Sequence, residues 1–284
     1  MIYADLHTHT NYSDGTQEVE EVVKLAHSKG IKALAVSDHD TIFHYERVKN
    51  ACEEYGIEAI RGVEMSCYDF TKFKKIHVVG LWLNDTPVHV EKLCKKTLES
   101  RDHYHRKLIH ELNEKGLNIT YEDAKKYSPY NIVFKMHLFQ AIIEKYPQYN
   151  NIEKYRSLFA SKTTKETDLE MGYIDIKDGI EAIRKDGGVS IIAHPCEYDN
   201  YDEIEKYISY GLQGIEISHP SMKVEDYIRT NEIADKYHLL RSGGSDFHDL
   251  NLTKMGENGL TKEQFITLKS DVKKIQATYI RDGQ

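Results

Sequence analysis

A chain of 284 residues with 38 Lys+Arg against 46 Asp+Glu has a formal net charge of -8. That balance argues against a protein that grips long nucleic acid over its whole surface, and leaves room for a small anion held at a local positive site. Hydrophobic residues, at 40%, suffice for a sizeable core, and the length suits one α/β barrel with an insert.

The four cysteines, Cys52, Cys67, Cys94 and Cys196, make no C-x-x-C pair and no disulfide scaffold. No basic-then-apolar leader or membrane-length apolar run is seen. A cytoplasmic setting with no membrane partner is therefore expected.

The chain opens on "IYADLHTH", an apolar run that ends in His7 and His9. "TQEVEEVVKLAHSKG" follows, with Val19, Val22, Val23 and Ala26 on one helical stripe and Gly30 as the stop. "IKALAVSDHD" is the next strand pattern and ends in Asp38, His39 and Asp40; "EAIRGVEMS" carries Glu64 and "KIHVVGLWL" carries His77. These runs are short and β-branched, as in buried parallel strands.

The pattern breaks between about Pro87 and Tyr173. There "VEKLCKKTLESRDHYHRKLIHELNEKG" reads as one long helix or two, and "IVFKMHLFQAIIEKY" as another. Residues 91–173 are read as a helical insert capping one end of a barrel made from 1–90 and 174–284. Strands resume with "GGVSIIAHP" (His194), "LQGIEISHP" (His219) and "LLRSGGSDFH" (Asp246, His248). Between them lie amphipathic stretches such as "DIKDGIEAIRKDGG" and "KVEDYIRTNEIADKYH". Strand–helix alternation predicts an α/β fold with parallel strands.

Side chains at i and i+2 of a strand share a side. His7 with His9, and Asp246 with His248, can each grip one ion together. In a (β/α) barrel the strand C-termini form the chemical face, so residues far apart in sequence would meet there. Of the fifteen histidines, those on amphipathic helices (His27, His44, His89, His103, His110 and His238) are read as surface or packing residues, as is His105.

"DLHTHTNYSDGT", "SDHDT", "GVEMS", "HVVG", "AHP" and "SDFH", in this order, resemble the motifs of the PHP (polymerase and histidinol phosphatase) family. The resemblance implies a distorted (β/α)7 barrel and a phosphoesterase site with two or three divalent ions. Carried over by position, the first ion would take His7, His9, Glu64 and Asp246. Glu64 would bridge to a second held by His77 and His194, and a third would take Asp14, His39 and His248. Asp5 and Asp38 are expected to orient histidines, and Asp40 to do the same or to cap the following helix. The mixed imidazole and carboxylate set suits Mn, Fe or Zn. The resemblance implies a metal-bridging hydroxide attacking phosphorus, with Asp246 catalytic.

Within that family the insert and "GLQGIEISHPSM" resemble the nucleotide-directed branch, which acts on 3',5'-bisphosphonucleotides or very short RNA. Lys135 and His137 of "VFKMHLF" are then substrate contacts, although the related pattern often has arginine where Lys135 stands, and lysine lacks its bidentate fork. Arg101 and Arg106 are further candidates. His219 could contact the leaving group or act as general acid. Histidinol-phosphate phosphatase is the alternative within the family. Outside it stand an amidohydrolase-type enzyme acting on carbon and a non-catalytic metal-binding module.

Overall fold

A computed structural model describes residues 1–159, 168, 170–249 and 253–282. Two sheets form the frame. One has three strands: β1 (Ala4–Thr8), β2 (Ala33–Val36) and β3 (Glu58–Ala59). The other has six, in the order β6 (Ile174–Asp175), β4 (Gly62–Asp69), β5 (Lys74–Leu81), β7 (Val189–Ile192), β8 (Gly214–Ser218) and β9 (Leu240–Gly243). Single parallel bridges, Thr8 to Phe247 and His39 to Glu64, link the sheets at both seams. The result is a distorted α/β barrel whose strand ladders do not close.

The strands are buried, as their apolar runs require; every residue of β1, β2, β4 and β7 is buried. Helices α1 (Val19–Ser28) and α2 (Tyr45–Glu54) cover the first sheet. α1 turns in Val19, Val22, Val23 and Ala26, the expected stripe, and Gly30 takes a positive φ of 79° at its end. On the second sheet the parallel crossovers are helical, as parallel pairing requires.

One strand departs from the expected parallel arrangement. β5 runs antiparallel to both β4 and β7. Residues 70–73 join β4 to β5, far too few for a crossover helix, so the pair must be a hairpin. This moves two site residues. Glu64 is the third residue of β4 and His77 the fourth of β5, rather than lying at C-terminal strand ends. Because Ser66 faces His77 across the ladder, Glu64 and His77 fall diagonally on one face.

The expected break in the pattern corresponds to a long helix, α3 (Val88–Glu114), followed by α4 (Tyr121–Lys125), α5 (Lys135–Lys145) and α6 (Ile152–Phe159). α3 is a single helix that serves two cores. Val90 and Cys94 pack into the barrel, whereas Leu108, Ile109 and Leu112 join Phe139, Ile142 and Phe159 in a separate core. The expected boundary at residue 91 therefore falls inside a continuous helix. Residues 160–167 and 169 of the expected insert lie outside the described residues. The remaining helices are α7 (Ile176–Lys185), α8 (Ile204–Ser209), α9 (Val224–Tyr237) and α10 (Lys262–Asp282). α10, which the sequence reading did not single out, seals the barrel floor with Phe265, Leu268 and Val272. Among the described residues no helix is long and apolar enough to cross a membrane.

Candidate functional site

His7 lies on buried β1 and His9 directly follows its last residue, Thr8; both imidazoles enter the cluster at the barrel mouth while Thr8 donates its hydroxyl to the Ala35 carbonyl. Around them the structure gathers Asp14, His39, Glu64, His77, His194, Asp246 and His248. Three overlapping groups have donor atoms all within 4.8 Å of one another: His7, His9, Glu64 and Asp246; His9, Asp14, His39 and His248; and His39, Glu64 and His77. His194 Nε2 lies 2.9 Å from Glu64 Oε1.

Backbone turns aim several of these groups. His194 and Asp246 have φ of 24° and 47°, and Asp40, which follows His39, has 54°, where residues other than glycine rarely sit. Such strain, about 1–3 kcal/mol each, persists where the surroundings fix it, and here it points to function.

Glu64 is the electrostatic centre. Burial pushes its carboxyl up, but His39, His7 and His77 outweigh that and hold it well below the ordinary range. Asp14 and Asp246 are likewise held down by neighbouring imidazoles against the cost of burial. Burial pushes the His39 imidazole down to about 4, whereas Asp14 and Asp246 overcome burial to raise His248 to about 10.

The contacts within the cluster show what it lacks. His7 Nδ1 lies 2.8 Å from Glu216 Oε1 and His248 Nδ1 lies 2.7 Å from the Asp246 carbonyl oxygen. Both acceptors require an N–H at Nδ1, which leaves a lone pair at each Nε2 of the neutral ring. Those lone pairs face carboxylates: His7 Nε2 is 3.2 Å from Glu64, and His248 Nε2 is 3.2 Å from Asp14. A lone pair facing a carboxylate needs a proton or a cation between them. His7 Nε2, His39 Nδ1 and His77 Nδ1, all aimed at Glu64 within 3.2 Å, also lack hydrogen-bond geometry. The donor set converges on shared points, as ligands of divalent ions do, and its imidazole and carboxylate mixture suits transition metals.

The supporting groups differ in part from expectation. Asp5 accepts from the backbone and hydroxyl of Ser245 and does not touch an imidazole; burial pushes its carboxyl up to about 7 despite these bonds. Asp38 accepts from Thr10, Ser13 and His44. It pins the loop after β1 and pairs with a histidine outside the cluster. Asp40 neither orients a cluster imidazole nor caps α2; it accepts from the Ser66 amide and from Arg101. The group that does orient cluster histidines, Glu216, was missed. It accepts from His7 Nδ1 and from the His194 amide at 2.7 Å. Its signal lay in "GIEIS", a charged residue within an apolar strand.

The candidate substrate residues divide. Arg101 and Lys135 line the pocket over the cluster, together with Lys75, Tyr173 and Tyr198. Arg101 reaches both Asp40 and Ser66 at 2.8 Å. Lys135 has no ion-pair partner among the described residues; burial, then Lys75 and Arg101, lower it to about 8. Arg106 is not brought to the pocket. It pairs with Asp102 and stacks on Tyr121 at the surface. His137 is fully buried. Its Nδ1 accepts from the Phe134 amide and its Nε2 donates to the Asn11 carbonyl, so it ties α5 to the loop after β1. His219 sits behind Asp246. Its Nδ1 accepts from the Ser221 amide, which leaves Nε2 protonated 3.2 Å from Asp246 Oδ2. That nitrogen, like His7 Nε2, lacks hydrogen-bond geometry toward the carboxylate, and the buried ring is not among the residues that line the pocket over the cluster.

The family model for the PHP domain matches residues 5–209. A phosphoribosyl 1,2-cyclic phosphate 1,2-diphosphodiesterase from Eggerthella lenta is 33% identical over 86% of this chain and 93% of its own. A 5'-3' exoribonuclease from Haemophilus influenzae is 28% identical over 86% of this chain and 89% of its own. A 3',5'-nucleoside bisphosphate phosphatase from Chromobacterium violaceum is 27% identical over 87% and 88%. Among solved structures, one described as a candidate metal-dependent phosphoesterase from Bifidobacterium adolescentis superposes with a TM-score of 0.82 at 23% identity, over 94% of this chain and 95% of its own. That likeness speaks to the fold.

Proposed function

The chain belongs to the PHP domain family and is a metal-dependent phosphoesterase, and from that premise we propose that its substrate is a small ribose bearing two phosphate groups. One observation carries the proposal. The pocket is lined both by the imidazole and carboxylate cluster and by three cations, of which Lys75 pairs with Asp168 and Arg101 with Asp40, while Lys135 has no ion-pair partner among the described residues. The cluster suits the phosphate that is hydrolysed. The cations supply charge for another phosphate that is held and not cleaved. The substrates for which two relatives are named, a phosphoribosyl cyclic phosphate and a nucleoside bisphosphate, share that chemistry.

The residues that would hold the ions are His7, His9, Glu64 and Asp246; Glu64, His77 and His194; and Asp14, His39 and His248. Two or three of Mn, Fe or Zn would fit them. When bound, such ions supply a Lewis acid for phosphate oxygens and lower the pKa of water. The chain's own groups set the geometry. Glu216 fixes the His7 ring and the turn at His194. His219, with Nε2 3.2 Å from Asp246 Oδ2, would position that carboxylate. Tyr198, half-buried against His77 and His194, keeps its phenol proton because burial and nearby carboxylates push its pKa up. The segment 91–173 acts as the substrate-facing insert through Arg101 and Lys135.

The test is phosphate release by manganese-reconstituted chain from a panel: phosphoribosyl 1,2-cyclic phosphate, adenosine 3',5'-bisphosphate, a short 5'-phosphorylated RNA, histidinol phosphate and an aryl phosphate. Preference for the substrates with two phosphates on ribose supports the proposal. Preference for histidinol phosphate or the aryl ester removes it.

A further inference from the structure

Behind Arg101 lies a second cavity that the catalytic account does not use. Its volume is about 500 Å³, against about 270 Å³ for the pocket over the cluster. The loop after β2, the first half of α3 and the loop before α5 enclose it. Asp40 lines this cavity and grips Arg101, which lines the other, so that one buried ion pair is the wall between them.

The lining has a definite chemistry. Phe43 and Tyr130 are 47% and 42% exposed, large fractions for aromatic side chains. Their rings meet at 3.9 Å and make one apolar wall, with Ile42 and Leu98 beside them. Thr41, only 3% exposed, lines the cavity, and its hydroxyl has no hydrogen-bond partner. A buried hydroxyl left without a partner is costly, and a ligand atom would satisfy it. Glu91 and Glu99 flank Lys95 on the α3 side. Since Asp40 is neutralised by Arg101, two glutamates against one lysine leave the lining with one net negative charge, which disfavours phosphate and favours a neutral molecule with amino donors.

We infer that this cavity is a second binding site, for a neutral planar heteroaromatic molecule of the nucleoside class. Aromatic rings supply stacking, Thr41 a hydroxyl, and the glutamates acceptors for exocyclic amines.

Isothermal titration of the full, manganese-loaded chain with adenosine tests this, with saturating inorganic phosphate present to occupy the pocket over the cluster. Saturable binding that survives phosphate is expected. Leu98→Trp, which fills the cavity, and Tyr130→Ala, which removes an exposed ring, should each weaken it about fivefold or more. If Leu98→Trp fails to fold, Tyr130→Ala decides alone. Absence of saturable binding, its loss in phosphate, or native affinity in the variants would overturn the inference. The readout is binding, so a failed phosphoesterase assay leaves the question decidable.

Discussion

Glu216 and His7 form a buried pair, with Oε1 2.8 Å from Nδ1, and the second oxygen of Glu216 takes the backbone amide of His194 at 2.7 Å. One carboxylate thus fixes a ring on β1 and a turn after β7. Such outer contacts commonly govern metal affinity. Glu216→Gln should keep the fold and lower manganese affinity about 10–100-fold. Metal titration of activity would show a rightward shift recovered at high manganese; an unmoved curve would exclude this role.

Lys135 is the cleaner probe of the positive wall. Arg101 also satisfies the buried carboxylate of Asp40, so its removal would cost stability as well as binding. Lys135 carries no such duty. Its pKa of about 8 lies below the ordinary lysine value, so it is charged below pH 8 and loses its proton above. KM should rise as pH passes through 8, and Lys135→Arg should remove that rise by staying charged. A Lys135→Met chain should show KM raised about tenfold or more. Parallel KM–pH profiles for native and Lys135→Arg chains would contradict the assignment.

His137 and His105 set an acid limit on stability. Burial lowers them to about 4 and about 3. Both are bases with folded pKa values below the unfolded 6.5. Between pH 6.5 and about 4 the unfolded state binds more protons, so stability falls as pH falls. His137→Gln removes one titrating group and should flatten the dependence of melting temperature on pH over that window. An unchanged slope would show that His137 does not contribute.

Gly244 is set against the cluster. A Cβ placed there would lie 2.4 Å from His7 Cβ and 2.5 Å from the His7 nitrogen. Gly244→Ala must displace β1, and with it His7 and His9. The expected result is a loss of about 1–3 kcal/mol in stability and near-complete loss of phosphate release. Denaturant unfolding and activity on one preparation check both.

The chemistry of the face was legible because ligand-type residues recur at the ends of short apolar runs, and His7 with His9 needed only the two-residue strand period. The antiparallel β5 was not, because an apolar strand reads the same in either direction; only the short link at residues 70–73 carries the information. The roles of His137 and His219 were equally hidden. A histidine near a site reads as chemical until its partners are known, and here backbone amides and carbonyls claim the rings. Glu216 was visible as a charge within β8, but only tertiary contact with His7 gives it a purpose.

If one cluster both binds metal and hydrolyses a phosphate ester, the two properties must be lost together. Bound manganese and phosphate release should be measured on the same samples of native chain and His9→Ala. Release that rises with metal occupancy in the native chain, with both lost in the variant, is the predicted result. Native-rate phosphate release by His9→Ala, or by metal-stripped chain, would contradict it.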